Sequence, residues 1–155
     1  MYTGLKIGSV FTLIGILVHF TVIGAILFVG LTFGLFESIS SAILKGADYK
    51  TIVNLTIGLV TSVFIASTTS FLIHFVKRIK SKKDFPKARL MAYFGFQFFI
   101  VHTLLYLIIL SQNLHWAKDG QFIFSFGGYL IYSSFYFVVF GATLDLIKKQ
   151  LLTQG

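Results

Sequence analysis

Residues 51–76 read TIVNLTIGLVTSVFIASTTSFLIHFV, 26 positions without one Asp, Glu, Lys or Arg. About 20 apolar residues rising 1.5 Å each cross a ~30 Å hydrocarbon layer, so this stretch is long enough to span a bilayer as a helix. Three more uncharged stretches flank it: Ile7–Phe36, Leu90–Ala117 and Gln121–Leu144. Lipid offers no partners to backbone N–H and C=O groups, so each stretch must be a helix or a strand of a closed barrel. Barrel strands alternate over about 10 residues, and these runs are longer and continuously apolar. The sequence therefore predicts an all-α integral membrane four-helix bundle. Residues 1–155 form its single domain, with spans at about 7–36, 51–76, 90–116 and 121–144.

Composition agrees. A mean hydropathy of +0.88, with 56% hydrophobic and 12% charged residues, lies outside the range of a soluble domain. Little chain remains outside the spans, which leaves no room for a separate soluble domain.

The net charge of +8 could point to nucleic acid, but its distribution points to topology. Seven of the thirteen Lys and Arg sit in one connector: Lys77, Arg78, Lys80, Lys82, Lys83, Lys87 and Arg89. Lys6 precedes the first span, and Lys148 and Lys149 follow the fourth. The opposite connectors carry only Lys45, Lys50 and Lys118, balanced by Glu37, Asp48 and Asp119. Ten basic residues on one side against three on the other predict that both termini and the basic connector face the cytoplasm. That connector is also a candidate site for anionic lipid headgroups; no nucleic-acid partner is expected.

The chain has no cysteine, which excludes disulfides, thiol nucleophiles and Cys-type metal sites. The apolar run after Lys6 is too long for a cleaved leader and reads as a retained first span. Its outer part carries a small-residue pair, Gly30 and Gly34, and the segment Glu37–Lys50 suits a short helix on the outer surface. Pro86, the only proline, stands just before the third span, where it opens a helix without breaking one. Trp116 and His115 mark the outer interface, and the short turn Ala117–Gly120 makes spans three and four an antiparallel pair.

Two packing signals stand out. Gly58, Ser62, Ala66 and Ser70 recur every four residues and form a stripe of small side chains, the pattern that admits a second helix at close range. The partner helix belongs either to the same bundle or to another subunit. The second signal, Ser125 with Tyr129, Tyr132 and Tyr136, makes an aromatic face on the fourth span, as core or as a subunit contact.

Histidines supply the remaining candidates. His19 follows Lys6 by 13 residues and His102 follows Arg89 by 13, which puts both imidazoles at the same depth on different helices. Intramembrane histidine is costly and so a functional candidate. The pair could ligate a b-type haem, with Gly15 and Gly95 leaving room for a porphyrin, or each ring could bond a hydroxyl or carbonyl within the bundle. His74 and Asp145 each precede an inner lysine by three residues, and contact between spans two and four would make them a pH-sensitive pair. No metal site is expected.

No span carries Asp, Glu, Lys or Arg near its middle, which disfavours carboxylate-driven exchangers. HExxH, phosphate-loop and G-x-S-x-G motifs are absent. A basic inner connector with short inner termini is the layout of many small four-span bacterial membrane proteins, and the bacterial inner membrane is the expected location. The leading expectation is a non-enzymatic accessory, regulatory or assembly subunit acting through helix contacts, with itself or with other membrane subunits. A haem b electron-transfer subunit and an oligomeric pore or small-solute carrier are the alternatives.

Overall fold

The structure, a computed structural model, describes residues 2–18, 21, 49–111 and 121–154, and the side chains of 49–50, 106, 109–110 and 121–134 lie outside that description. The described residues form four helices and no strand: α1 (Thr3–Val18), α2 (Tyr49–Lys80), α3 (Lys87–Ser111) and α4 (Gln121–Thr153). Two stretches, Thr51–Lys80 and Lys87–Leu105, are long and apolar enough to cross a membrane; α1 is apolar but shorter.

Several ends differ from the uncharged stretches. α2 runs four residues past Val76 to Lys80, and α4 runs past Leu144 to Thr153. Lys, Arg, Gln and Leu are good helix formers, so the helix continues where the apolar run stops. At the end of α2 the Lys82 N–H donates to the Ile79 carbonyl (2.9 Å) and the Lys83 N–H to the Arg78 carbonyl (3.1 Å). Lys82 takes the left-handed conformation this closure requires, with φ 56°, a position that favours glycine. Pro86 then gives its carbonyl to the Leu90 N–H (3.1 Å) and opens α3.

The helices alternate in direction. α1 packs chiefly on α4 and α2 chiefly on α3. Gly4 meets Gly141 while Gly8 meets Phe137, so α1 and α4 run antiparallel. Phe71 stacks on Tyr93 (centroids 3.6 Å apart, planes 5° apart), and Phe75 meets Phe85, so α2 and α3 form an antiparallel hairpin. Between the pairs, Phe11 contacts Phe94, Phe98 and Phe137, making a core of aromatic rings with Phe94 and Phe137 fully buried. The start of α1, the end of α2, the start of α3 and the end of α4 therefore gather at one end. Lys6, the seven basic connector residues, Lys148 and Lys149 lie at or near it.

Candidate functional site

Among the described residues, α1 and α4 make a close backbone contact that the apolar stretches do not announce. A Cβ built on Gly4 would fall 2.5 Å from the Gly141 carbonyl oxygen; one on Gly8 would collide with the Phe137 carbonyl, and one on Gly141 with the Gly4 carbonyl. Small residues let helix backbones approach one another closely. The Gly4-x-x-x-Gly8 spacing carries the signal, but it straddles Lys6, at the edge of the first apolar stretch.

Asp145 completes this junction. Its Oδ1 accepts from the Gly4 N–H (3.0 Å) and its Oδ2 from the Leu5 N–H (2.9 Å). These are the second and third residues of α1, whose N–H groups have no partner within the helix. A carboxylate from α4 thus caps α1 and sits at the positive end of its dipole.

The expected contact between His74 and Asp145 gives way to separate partners. Arg89 Nη1 lies in hydrogen-bond contact with His74 Nε2 (3.2 Å), while Asp145 is taken up by α1. The hairpin of α2 and α3 holds His74 beside Arg89, and the α1–α4 crossing holds Asp145 beside Gly4.

The basic connector is anchored by Phe85, whose ring lies 5.3 Å from both Phe71 and Phe75. Arg78 Nε donates to the Asp84 carbonyl (2.8 Å), and Lys148 reaches the Asp84 carboxylate (3.0 Å). Lys77, Lys80, Lys82, Lys83, Lys87 and Arg89 are exposed, and Arg78 is half-buried.

The small-residue stripe of α2 points away from the bundle. Gly58, Ser62, Ala66 and Ser70 are all exposed, and a Cβ on Gly58 would meet nothing within 4 Å. The packed positions, among them Val53, Phe64, Thr68, Phe71, Phe75 and Ile79, lie about half a turn round the helix from it. Leu55, Leu59, Ile65 and Ile73 are 52–70% exposed. The hydroxyls of Thr56, Thr61, Ser62 and Thr68 donate to carbonyls of their own helix, four residues back.

His102 is buried on α3. Its Nδ1 donates to the Phe98 carbonyl (2.7 Å), and a Cβ on Gly15 would lie 3.5 Å from Nε2. The histidine thus bonds a carbonyl of its own helix, and α1 packs against the edge where the haem reading needs a porphyrin. His19 lies outside the described residues, as do Gly30, Gly34, most of Glu37–Lys50, His115, Trp116, the 117–120 turn, and the side chains of Ser125, Tyr129 and Tyr132. Tyr136 is described: it contacts Phe64, Phe137 and Phe140 as part of the aromatic core.

One buried polar cluster joins α2 to α3. Gln97, fully buried, donates from Nε2 to the Tyr93 hydroxyl (2.7 Å) and the Thr68 hydroxyl (3.3 Å). A glutamine within an apolar run was the available signal. No protein-family model, curated protein or solved structure matches this chain.

Proposed function

We propose that this chain is a four-span membrane protein of the bacterial inner membrane, with both ends and the basic connector in the cytoplasm. It acts as an accessory, regulatory or assembly subunit without catalytic chemistry of its own. It meets copies of itself or other membrane subunits through the outward face of α2, and its connector holds anionic lipid headgroups. The observation that carries this reading is the apolar exposure of α2: only 6% of its most apolar window is buried within the bundle. A surface of that kind is covered by lipid or by another protein. The small stripe lies on that surface and not in the bundle core. Hydroxyls bonded to their own helix favour a packing face over a polar lumen.

The test is oligomeric size on a native detergent gel. Replacing Gly58 and Ser62 together with Leu removes the close approach and should shift the protein to a smaller species. An unchanged size would count against association through this face.

A further inference from the structure

At the basic end a cavity of about 430 Å³ opens between the helices, within the size range of small-ligand sites. Its walls are two-sided in chemistry. Phe75, Phe85, Leu90 and Leu152 supply an apolar lining drawn from α2, the connector, α3 and α4, while Lys148 and Lys149 supply cations. Asp145 also lines it, but both its oxygens are engaged by the α1 N–H groups, and the α1 dipole offsets its charge. Lys148 is held by Asp84, an ion pair with side chains 36% and 92% exposed, weak enough to exchange for another anion.

We infer that this cavity binds one anionic phospholipid, its acyl chain against Phe75, Phe85, Leu90 and Leu152 and its phosphate at Lys148 and Lys149. Charge complementarity selects the occupant. A zwitterionic lipid brings the same phosphate but sets a quaternary ammonium beside the lysines, which opposes their charge; an uncharged detergent fills only the apolar part, and a free anion only the cationic part. Thr3, also on the lining, offers a hydroxyl donor at the headgroup level, while the Thr153 hydroxyl donates to the Gln150 and Lys149 carbonyls of its own helix. The inference rests on the membrane reading above.

The test uses full-length protein in an uncharged detergent, titrated with phosphatidylglycerol, with phosphatidylcholine of the same chains, and with inorganic phosphate, and read by native mass spectrometry. Phosphatidylglycerol should bind about 25-fold more tightly than phosphatidylcholine, and phosphate should not compete at millimolar concentration. Lys148→Ala with Lys149→Ala should erase the preference, from roughly fivefold per lysine near a lipid headgroup. Leu152→Trp, at a half-exposed position that tolerates bulk, should weaken both lipids at least fivefold by filling the cavity. Lys45→Ala with Lys118→Ala, in the opposite connectors, should change nothing. Equal binding of the two lipids, full competition by phosphate, or indifference to Leu152→Trp would each overturn the proposal. Alkaline carbonate extraction of the same proteins separates the two layers. Retention in membranes with no lipid preference removes the cavity proposal alone, whereas release removes the membrane reading as well.

Discussion

The same substitution, glycine to alanine, should have opposite effects at Gly8 and at Gly58. At Gly58 the new methyl meets open space within the chain, so in monomeric protein the change is the gain in helix propensity, about 0.5–1 kcal/mol. At Gly8 it would collide with the Phe137 carbonyl, a backbone atom with no side-chain freedom to move aside. Overpacking costs about 1–3 kcal/mol, and relief requires α1 to move off α4, which also stretches the two bonds to Asp145. Subtracting the propensity gain leaves a net destabilisation of up to about 2.5 kcal/mol. For a chain of this size each kcal/mol shifts Tm by about 2–4 °C. Gly8→Ala should therefore lower Tm by up to about 10 °C and Gly58→Ala raise it by about 1–4 °C, measured on monomeric protein in detergent by fluorescence or circular dichroism. Gly8→Ala combined with Gly141→Ala should depart from additivity, because both report on one crossing. A Gly8→Ala protein as stable as Gly58→Ala would refute the close crossing of α1 and α4.

Three other outcomes follow from the geometry. Asp145→Ala removes two charge-assisted bonds at the start of α1 and should cost about 2 kcal/mol, or about 4–8 °C in the same melt; no change would mean that α1 is capped otherwise. Lys82→Gly relieves a left-handed lysine and should stabilise the protein by about 1 kcal/mol, unless the connector closes in another way, in which case the melt would not rise. Protein purified from haem-replete cells should show no Soret band after dithionite reduction, because α1 packs against Nε2 of His102; a band abolished by His102→Ala would reinstate haem.

The helices were legible because uncharged length is a one-dimensional signal. Thr51–Val76 lies within α2, Leu90–Ser111 within α3, and Gln121–Leu144 within α4. Their ends were less legible, since Lys77–Lys80 and Asp145–Thr153 are charged yet favourable to helix. The α2 stripe was visible in the sequence, but its outward direction depends on which face packs, a three-dimensional fact. Partners across helices were the least legible. Asp145 stands three residues before Lys148 exactly as His74 stands before Lys77, and depth alone made them a pair. The antiparallel crossing of α1 on α4 instead delivers the α1 N–H groups to Asp145, while the α2–α3 hairpin delivers Arg89 to His74. Gly141 is isolated in sequence and gains its meaning only opposite Gly4. Gln97 gains its own opposite Thr68.

The chain has no native cysteine, so single introduced cysteines can map its topology without background. In intact cells an impermeant maleimide should label Ser40→Cys and Asp119→Cys, and should reach Ser81→Cys and Thr153→Cys only after permeabilisation. Labelling of Ser81→Cys and Thr153→Cys on opposite sides, or of both in intact cells, would contradict a four-span bundle with its basic end in the cytoplasm.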